Sequence, residues 1–177
     1  MTKPRLATVW LDGCSGCHMS LLDMDERLLD VAARADLVYS PLVDAKEFPP
    51  DVDVTLVEGA VSTEDDERRI VQVRERTRIL VSLGDCAVTS NVPGMRNAIG
   101  AAPLLSRSYV DNATINPRIP NVVVPALLPT SRPVHRVVAV DVFLPGCPPS
   151  ADLIYAVLDE LIAGRIPDTS GLTHFGA

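Results

Sequence analysis

Leu6-Ala7-Thr8-Val9-Trp10-Leu11-Asp12-Gly13-Cys14-Ser15-Gly16-Cys17 joins a short apolar run, read as a β-strand, to a Cys-x-x-Cys turn. The same arrangement recurs twice. Ile79-Leu80-Val81-Ser82-Leu83 precedes Cys86, and Val137-Val138-Ala139-Val140-Asp141-Val142 precedes Cys147. These are the 4 cysteines of a 177-residue chain. In an open α/β sheet the functional crevice lies outside the carboxyl ends of the strands. Thiols carried on three separate strand ends can therefore meet at one edge, where four thiolates suit an iron–sulfur cubane or a tetrahedral metal.

The elements between these runs favour an α/β fold. Ser20 to Ala33 carries Leu21, Leu22, Leu28, Leu29 and Ala32 on one face and most of its acidic residues on the other, predicting an amphipathic helix. Leu37-Val38-Tyr39 reads as a second strand and Val52 to Glu58 as an alternating third. Ser62 or Thr63 caps a helix running to about Thr77, with Glu64-Asp65-Asp66-Glu67 in the first turn, where the helix dipole favours negative charge. Ser150 caps a last helix, Ala151 to Ala163, stopped by Gly164. Strands alternating with helices predict a mostly parallel sheet with helices on both faces.

Composition narrows the function. Hydrophobic residues make up 47% and charged residues 22%, a globular balance in a chain of one-domain size, 1–177. The net charge of −7 argues against a nucleic-acid or anionic-membrane surface. No apolar stretch approaches the roughly 18 residues of a membrane span. Met1-Thr2-Lys3-Pro4-Arg5 leads directly into a strand without an export signal, so a cytoplasmic location is expected. In a reducing compartment, cysteines serve as ligands or redox groups rather than as a disulfide framework. Asn91 to Pro133 breaks the alternation with seven prolines. Its Leu104, Leu105, Ile115, Ile119, Val122, Val123, Val124, Leu127 and Leu128 are too apolar to be left in water, so this segment, about 91–133, is read as a docking surface.

The cysteine spacing separates the chemical readings. A thioredoxin-like dithiol leaves Cys86 and Cys147 unexplained, and a structural zinc usually pairs two short-spaced motifs. The Cys-x-x-Cys turn occupies the place where a flavodoxin-like fold holds phosphate. Gly84-Asp85-Cys86-Ala87 and Pro145-Gly146-Cys147-Pro148-Pro149 set glycines beside cysteines, read as room for a bulky inorganic group.

As a set, Cys-x-x-Cys after the first strand, Glu58-Gly59-Ala60 after the third, Gly-x-Cys-Ala after the fourth and Pro-Gly-Cys-Pro-Pro before the last helix resemble the small subunit of [NiFe] hydrogenases, over about residues 6 to 165. The resemblance implies a flavodoxin-like domain in which Cys14, Cys17, Cys86 and Cys147 hold one proximal [4Fe–4S] cluster. The nickel–iron centre would lie in a separate large subunit. Many such small subunits continue into a second domain with further cluster ligands. The absence of further cysteines here resembles instead the short small subunit of cytoplasmic NAD(P)-linked, bidirectional hydrogenases, which pass electrons to a diaphorase module carrying flavin and iron–sulfur centres. The implied activity is that of a subunit of an H2:NAD(P)+ oxidoreductase, with none in the isolated chain. FMN remains a second candidate cofactor. The cluster-bearing quinone-module subunit of complex I is similar, but its first motif has adjacent cysteines. A zinc-stabilised flavodoxin-like scaffold is the alternative from another class.

His18, directly after Cys17, departs from the residues common in these relatives, and is a candidate for hydrogen bonding to a cluster sulfide or for facing the large subunit. Glu58 ends a strand near the same edge, where a carboxylate can relay protons or accept from loop amides. Neither receives a catalytic role, and the cysteines are ligands rather than nucleophiles. His135 and His174 have no suggestive neighbours.

Overall fold

The structure is a computed structural model that describes residues 2–173 and 175. Five strands form its main sheet: β1 (Arg5–Trp10), β2 (Asp36–Tyr39), β3 (Val52–Glu58), β5 (Thr77–Leu83) and β7 (Val142–Leu144). Every pairing is parallel, in the spatial order β2-β1-β3-β5-β7. Counted within this sheet alone, the order is 2-1-3-4-5, the flavodoxin-like arrangement. A satellite pair, β4 (Val61–Thr63) and β6 (Leu127–Arg132), runs antiparallel beside it.

Helices cover both faces, as the alternation predicts. On one side α1 (Gly16–Leu22), α2 (Arg27–Arg34) and α7 (Ala151–Ile162) bury Leu21, Val31, Ile154 and Leu158 against Leu6, Leu56 and Val81. On the other, α3 (Glu64–Glu75) buries Ile70 and Val73 against Ala7, Val9, Val57 and Leu80. The alternation read into Val52–Glu58 gives way to burial of nearly every residue, because a central parallel strand is covered on both faces. Thr63 caps α3 in a capping box. Its hydroxyl accepts the Asp66 N–H at 3.0 Å, and the Asp66 carboxylate accepts the Thr63 N–H at 2.9 Å. Gly164 ends α7 with a left-handed φ of 79°.

Three local expectations are corrected. The helix expected over Ser20 to Ala33 is two helices, because α1 starts within the cysteine turn and the chain breaks at Asp25, φ 51°. The break resets the helical phase: Met24 turns into the core and Leu29, expected inside, is 74% exposed. The strand expected over Val137 to Val142 is Val142–Leu144 alone. At its start the Asp141 side chain, not the backbone ladder, accepts the Leu80 N–H at 2.7 Å. The proline-rich stretch is less irregular than its composition suggests. It holds α5 (Asn91–Gly94), a 3₁₀ turn (Met95–Ala98), α6 (Ala101–Ser106), a π-turn (Arg107–Asp111) and β6. Strand β6 contains Pro129, which a two-stranded edge tolerates.

The segment is pinned from within. Arg96 donates to the carbonyls of Ser62 at 3.1 Å and Leu128 at 3.0 Å. The Asn97 amide donates to the Ser131 carbonyl at 2.8 Å and accepts the Ser131 N–H at 2.7 Å. Leu104, Leu105, Leu127 and Leu128 are half-buried, whereas Ile115, Ile119, Val122, Val123 and Val124 are exposed. Among the described residues, no helix is long and apolar enough to cross a membrane.

Beyond β1 and β3 the two connecting loops touch. Leu11 N–H donates to the Glu58 carbonyl at 2.9 Å, and Asp12 and Ala60 exchange bonds of 3.1 and 2.8 Å. Gly59 makes this approach with φ 93°, and a Cβ there would stand 2.9 Å from the carbonyl carbons of both Leu11 and Asp12. Gly59→Ala is expected to destabilise the fold by roughly 1–3 kcal/mol, read as a lowered denaturant midpoint at unchanged m-value.

Candidate functional site

The carboxyl ends of β1, β3, β5 and β7 open onto one edge of the sheet. In the parallel register Trp10 lies beside Glu58, Glu58 beside Leu83, and Leu83 beside Leu144. Cys14 and Cys17 follow β1, Cys86 follows β5 and Cys147 follows β7, so all four cysteines lie beyond this edge. The sulfur of Cys17 packs against Gly84 in the Cys86 loop, and Asp85 joins that loop to the Cys147 loop, so the sequence-predicted cysteines share one edge. Cys17 is buried, Cys86 half-buried, and Cys14 and Cys147 are exposed.

Cys86 lies within α4 (Gly84–Thr89), a short helix that the sequence did not signal. Its first residue, Gly84, has φ 81°, and a Cβ there would overlap the Cys17 sulfur. At Gly146, φ 140°, a Cβ would meet the Pro149 backbone at 2.7 Å. The glycines beside these cysteines thus make room for a protein sulfur and for a folded-back loop. Asp85 clamps the two loops: its N–H donates to the Gly146 carbonyl at 2.8 Å and its carboxylate accepts the Gly146 N–H at 2.7 Å. Ser20 of α1 ties in the third loop by donating to the Pro149 carbonyl at 2.5 Å.

N–H groups face three of the sulfurs. Gly16 donates to Cys14 Sγ at 3.4 Å and the Asn91 amide to Cys147 Sγ at 3.6 Å. The Val92 backbone N–H reaches Cys86. Burial pushes the Cys17 thiol well above its ordinary range, with Glu58 and then the other cysteines adding to the rise. Cys86 also rises, mainly through burial, and the Val92 N–H opposes this. Among the described residues, no three His, Cys, Asp or Glu side chains are grouped to hold a single metal ion.

Glu58 and His18 meet beneath the cysteines, both almost fully buried. Glu58 Oε2 accepts the His18 main-chain N–H at 3.0 Å and makes a short contact with His18 Nδ1. His18 Nε2 bonds Thr8 Oγ1 at 2.9 Å, and Thr8 donates to Ser40 Oγ at 2.8 Å. His18 therefore points into the protein, and the expectation that it faces a large subunit is not met. His135 stacks edge-on against Phe143, centroids 5.7 Å apart, away from this network. His174 lies outside the described residues. Sequence reading missed Asp85, Asn91, Thr8 and Ser40, whose partners are all distant in the chain or unmarked by any motif.

Residues 14–161 match the family model described as NADH ubiquinone oxidoreductase, 20 Kd subunit. The chain belongs to this family. Its relatives include the NAD-reducing hydrogenase HoxS subunit delta of Cupriavidus necator, 42% identical over 168 residues, covering 92% of this chain and 80% of the relative. A subunit of the F420-non-reducing hydrogenase vhu of Methanocaldococcus jannaschii is 37% identical over 165 residues, covering 92% of this chain but 57% of that relative. Among solved structures, a chain of an NAD+-reducing [NiFe]-hydrogenase in the H2-reduced state superposes with a TM-score of 0.90 at 38% identity, covering 94% of this chain and 95% of that one. A chain of the Dm. baculatum [NiFeSe]-hydrogenase, TM-score 0.62 at 18% identity, covers 95% of this chain and 67% of that one, and shares the fold. These relatives are hydrogenase subunits. The resemblance read from the four motifs is borne out, and the alternative of a complex I-like quinone-module subunit is set aside.

The burial order of the thiols gives a direct check on the geometry of the site. In the metal-free full chain at about pH 8, iodoacetamide is expected to modify Cys14 and Cys147 first, Cys86 more slowly and Cys17 last, because burial and a raised pKa both withhold the thiolate. Peptide mass spectrometry over a time course reads the order.

Proposed function

We propose that this chain is the electron-transfer small subunit of an NAD(P)-linked [NiFe] hydrogenase. Cys14, Cys17, Cys86 and Cys147 would hold one [4Fe–4S] cluster, between the nickel–iron centre of a large subunit and a diaphorase module with flavin and iron–sulfur centres. The assembly is hetero-oligomeric and cytoplasmic. The observation that carries the reading is the placement of four cysteines beyond three strand ends on one edge of a parallel sheet, in a chain 42% identical to a subunit of an NAD-reducing hydrogenase.

The donor set fits the group. Four soft thiolates suit iron in a cubane, and N–H groups aimed at three of the sulfurs would share the negative charge of the assembly. A cubane spreads its thiolates over four irons, whereas a structural zinc gathers them about one ion. A structural zinc usually pairs two short-spaced motifs, whereas here Cys86 and Cys147 each stand alone, which favours the cubane over the zinc scaffold. When bound, such a cluster supplies one-electron transfer. The protein's own part is positional. Gly84 leaves room for Cys17, Asp85 locks the Cys86 loop to the Cys147 loop, and burial around Cys17 limits water. We assign flavin to the partner module, because the β1–α1 turn that holds phosphate in flavodoxin-like folds carries Cys14 and Cys17 instead. The exposed apolar residues of the 91–133 segment, Val92, Met95, Ile99 and Val123 among them, are assigned to the large-subunit interface.

In the assembled enzyme, Cys86→Ser is expected to abolish H2-dependent NAD(P) reduction while H2/D+ exchange persists, since exchange needs only the large-subunit metal centre. Acceptor reduction at the wild-type rate would overturn the reading. Iron and sulfide analysis of Cys147→Ser is expected to show loss or conversion of the cluster. The chain purified without partners is expected to bind a hydrophobic dye and to lose that binding on assembly.

A further inference from the structure

At the junction of α4 and α5, Ser90 and Asn91 take left-handed backbone, with φ 68° and 22°, although neither is glycine. Two such residues in succession are uncommon, and they persist only where the surroundings hold them. The turn they make brings adjacent residues to sulfurs on two different loops. The Asn91 side-chain amide donates to Cys147 Sγ at 3.6 Å, and the Val92 main-chain N–H reaches Cys86. The turn is held from both sides. The Asn91 N–H donates to Thr89 Oγ1 at 3.3 Å, and the Thr89 hydroxyl donates to the Asp85 carbonyl at 2.8 Å. Asp85 in turn grips Gly146, the residue before Cys147. The bonds close a ring from Cys147 through Gly146, Asp85, Thr89 and Asn91 back to the Cys147 sulfur. Beyond the turn, the Ser90 carbonyl accepts the Gly94 N–H at 2.8 Å, and a Cβ on Gly94 would stand 3.0 Å from the Ser90 Cβ.

We propose that the Asn91 amide, donating to the Cys147 sulfur, raises the reduction potential of the group held by the four cysteines, and that Thr89 is the positioning residue that keeps the amide aimed. The inference rests on the cluster reading above. Reduction adds negative charge to the thiolate-bound group, and a hydrogen bond to a ligand sulfur strengthens as that sulfur becomes more negative. The donor therefore favours the reduced state, and as a neutral dipole it needs no net charge to do so. The Val92 N–H acts in the same sense on Cys86, where it opposes the rise that burial gives the thiol pKa. Asn91 and Cys147 are exposed in the isolated chain, so water competes there for the same sulfur. The side chains that follow, Val92 at 61% and Met95 at 73% exposure, are among those assigned above to the large-subunit interface. A partner seated on them would exclude that water and strengthen the bond.

The test is a redox titration of the assembled enzyme, following the electron paramagnetic resonance signal of the reduced cluster, with iron and sulfide measured on each sample. Two variants suit the left-handed backbone. Asn91→Gly removes the donor, and Asn91→Asp sets a carboxylate of the same shape in its place. Both are expected to keep iron and sulfide and to shift the midpoint potential downward, Asn91→Asp further than Asn91→Gly. A residue that only braces the turn would give no such order, since the aspartate preserves the shape and the glycine does not. Either variant at or above the wild-type potential, with full iron and sulfide, would overturn the proposal. If neither variant holds iron, Thr89→Val decides, because it leaves the amide in place but takes away its anchor. A lowered potential there supports the proposal; an unchanged potential, or loss of iron in this variant too, overturns it. Absence of iron and sulfide from the wild-type enzyme would overturn the cluster reading itself, a failure separable from the first because it appears before any variant is made.

Discussion

One row of residues across the sheet, Trp10, Glu58, Leu83 and Leu144, governs everything at the carboxyl edge. Because side chains alternate with period 2 along a strand, a one-residue slip in any pairing would turn the next loop to the wrong face. Burial of both faces forbids such a slip. Leu56 and Val81 must meet the α1–α7 layer while Val57 and Leu80 meet α3. The two hydrophobic cores thus fix the position of four cysteines without touching most of them. The short clamps at Gly59, Asp85 and Ser20 complete the alignment, each joining loops that the sheet has already brought within reach.

The edge so built is costly to the fold. Removing one partner of the buried His18–Glu58 hydrogen bond leaves the other unsatisfied at a cost of about 1–3 kcal/mol, while replacing both with apolar residues can be neutral. Left-handed backbone at Ser90, just after α4, adds to the strain near Cys86. Such features cluster where a protein gives up stability for a purpose, and here they lie close to a cysteine in the chain.

Much of this was legible in the chain. Val52–Glu58 was located to the residue because a β-branched run ends at a glycine, and Thr63 and Ser150 declared their helices by capping chemistry. The cysteines were legible as a set because each follows an apolar run, which is a topological signal rather than a local one. The unread parts have physical reasons. Asp25 takes a left-handed φ without being glycine, so nothing marks the break between α1 and α2. Strand β6 hides behind Pro129, and its partner β4 has three residues. Asp85 looks like a helix-starting acid but works on a loop far along the chain. His18 could be weighed from sequence, yet only its three-dimensional partners decide that it faces inward.

The strand order has a consequence for biosynthesis. Strand β7 is the last of the described strands in chain order and one of the two outer strands of the main sheet, and its pairing is only three residues long. Until it arrives, β5 is an open edge with unpaired backbone groups, the kind of surface along which nascent chains pair wrongly. Pairing the carboxyl end of β5 and delivering Cys147 are one event, so the last three residues of that edge are covered at the same moment as the rim receives its fourth cysteine.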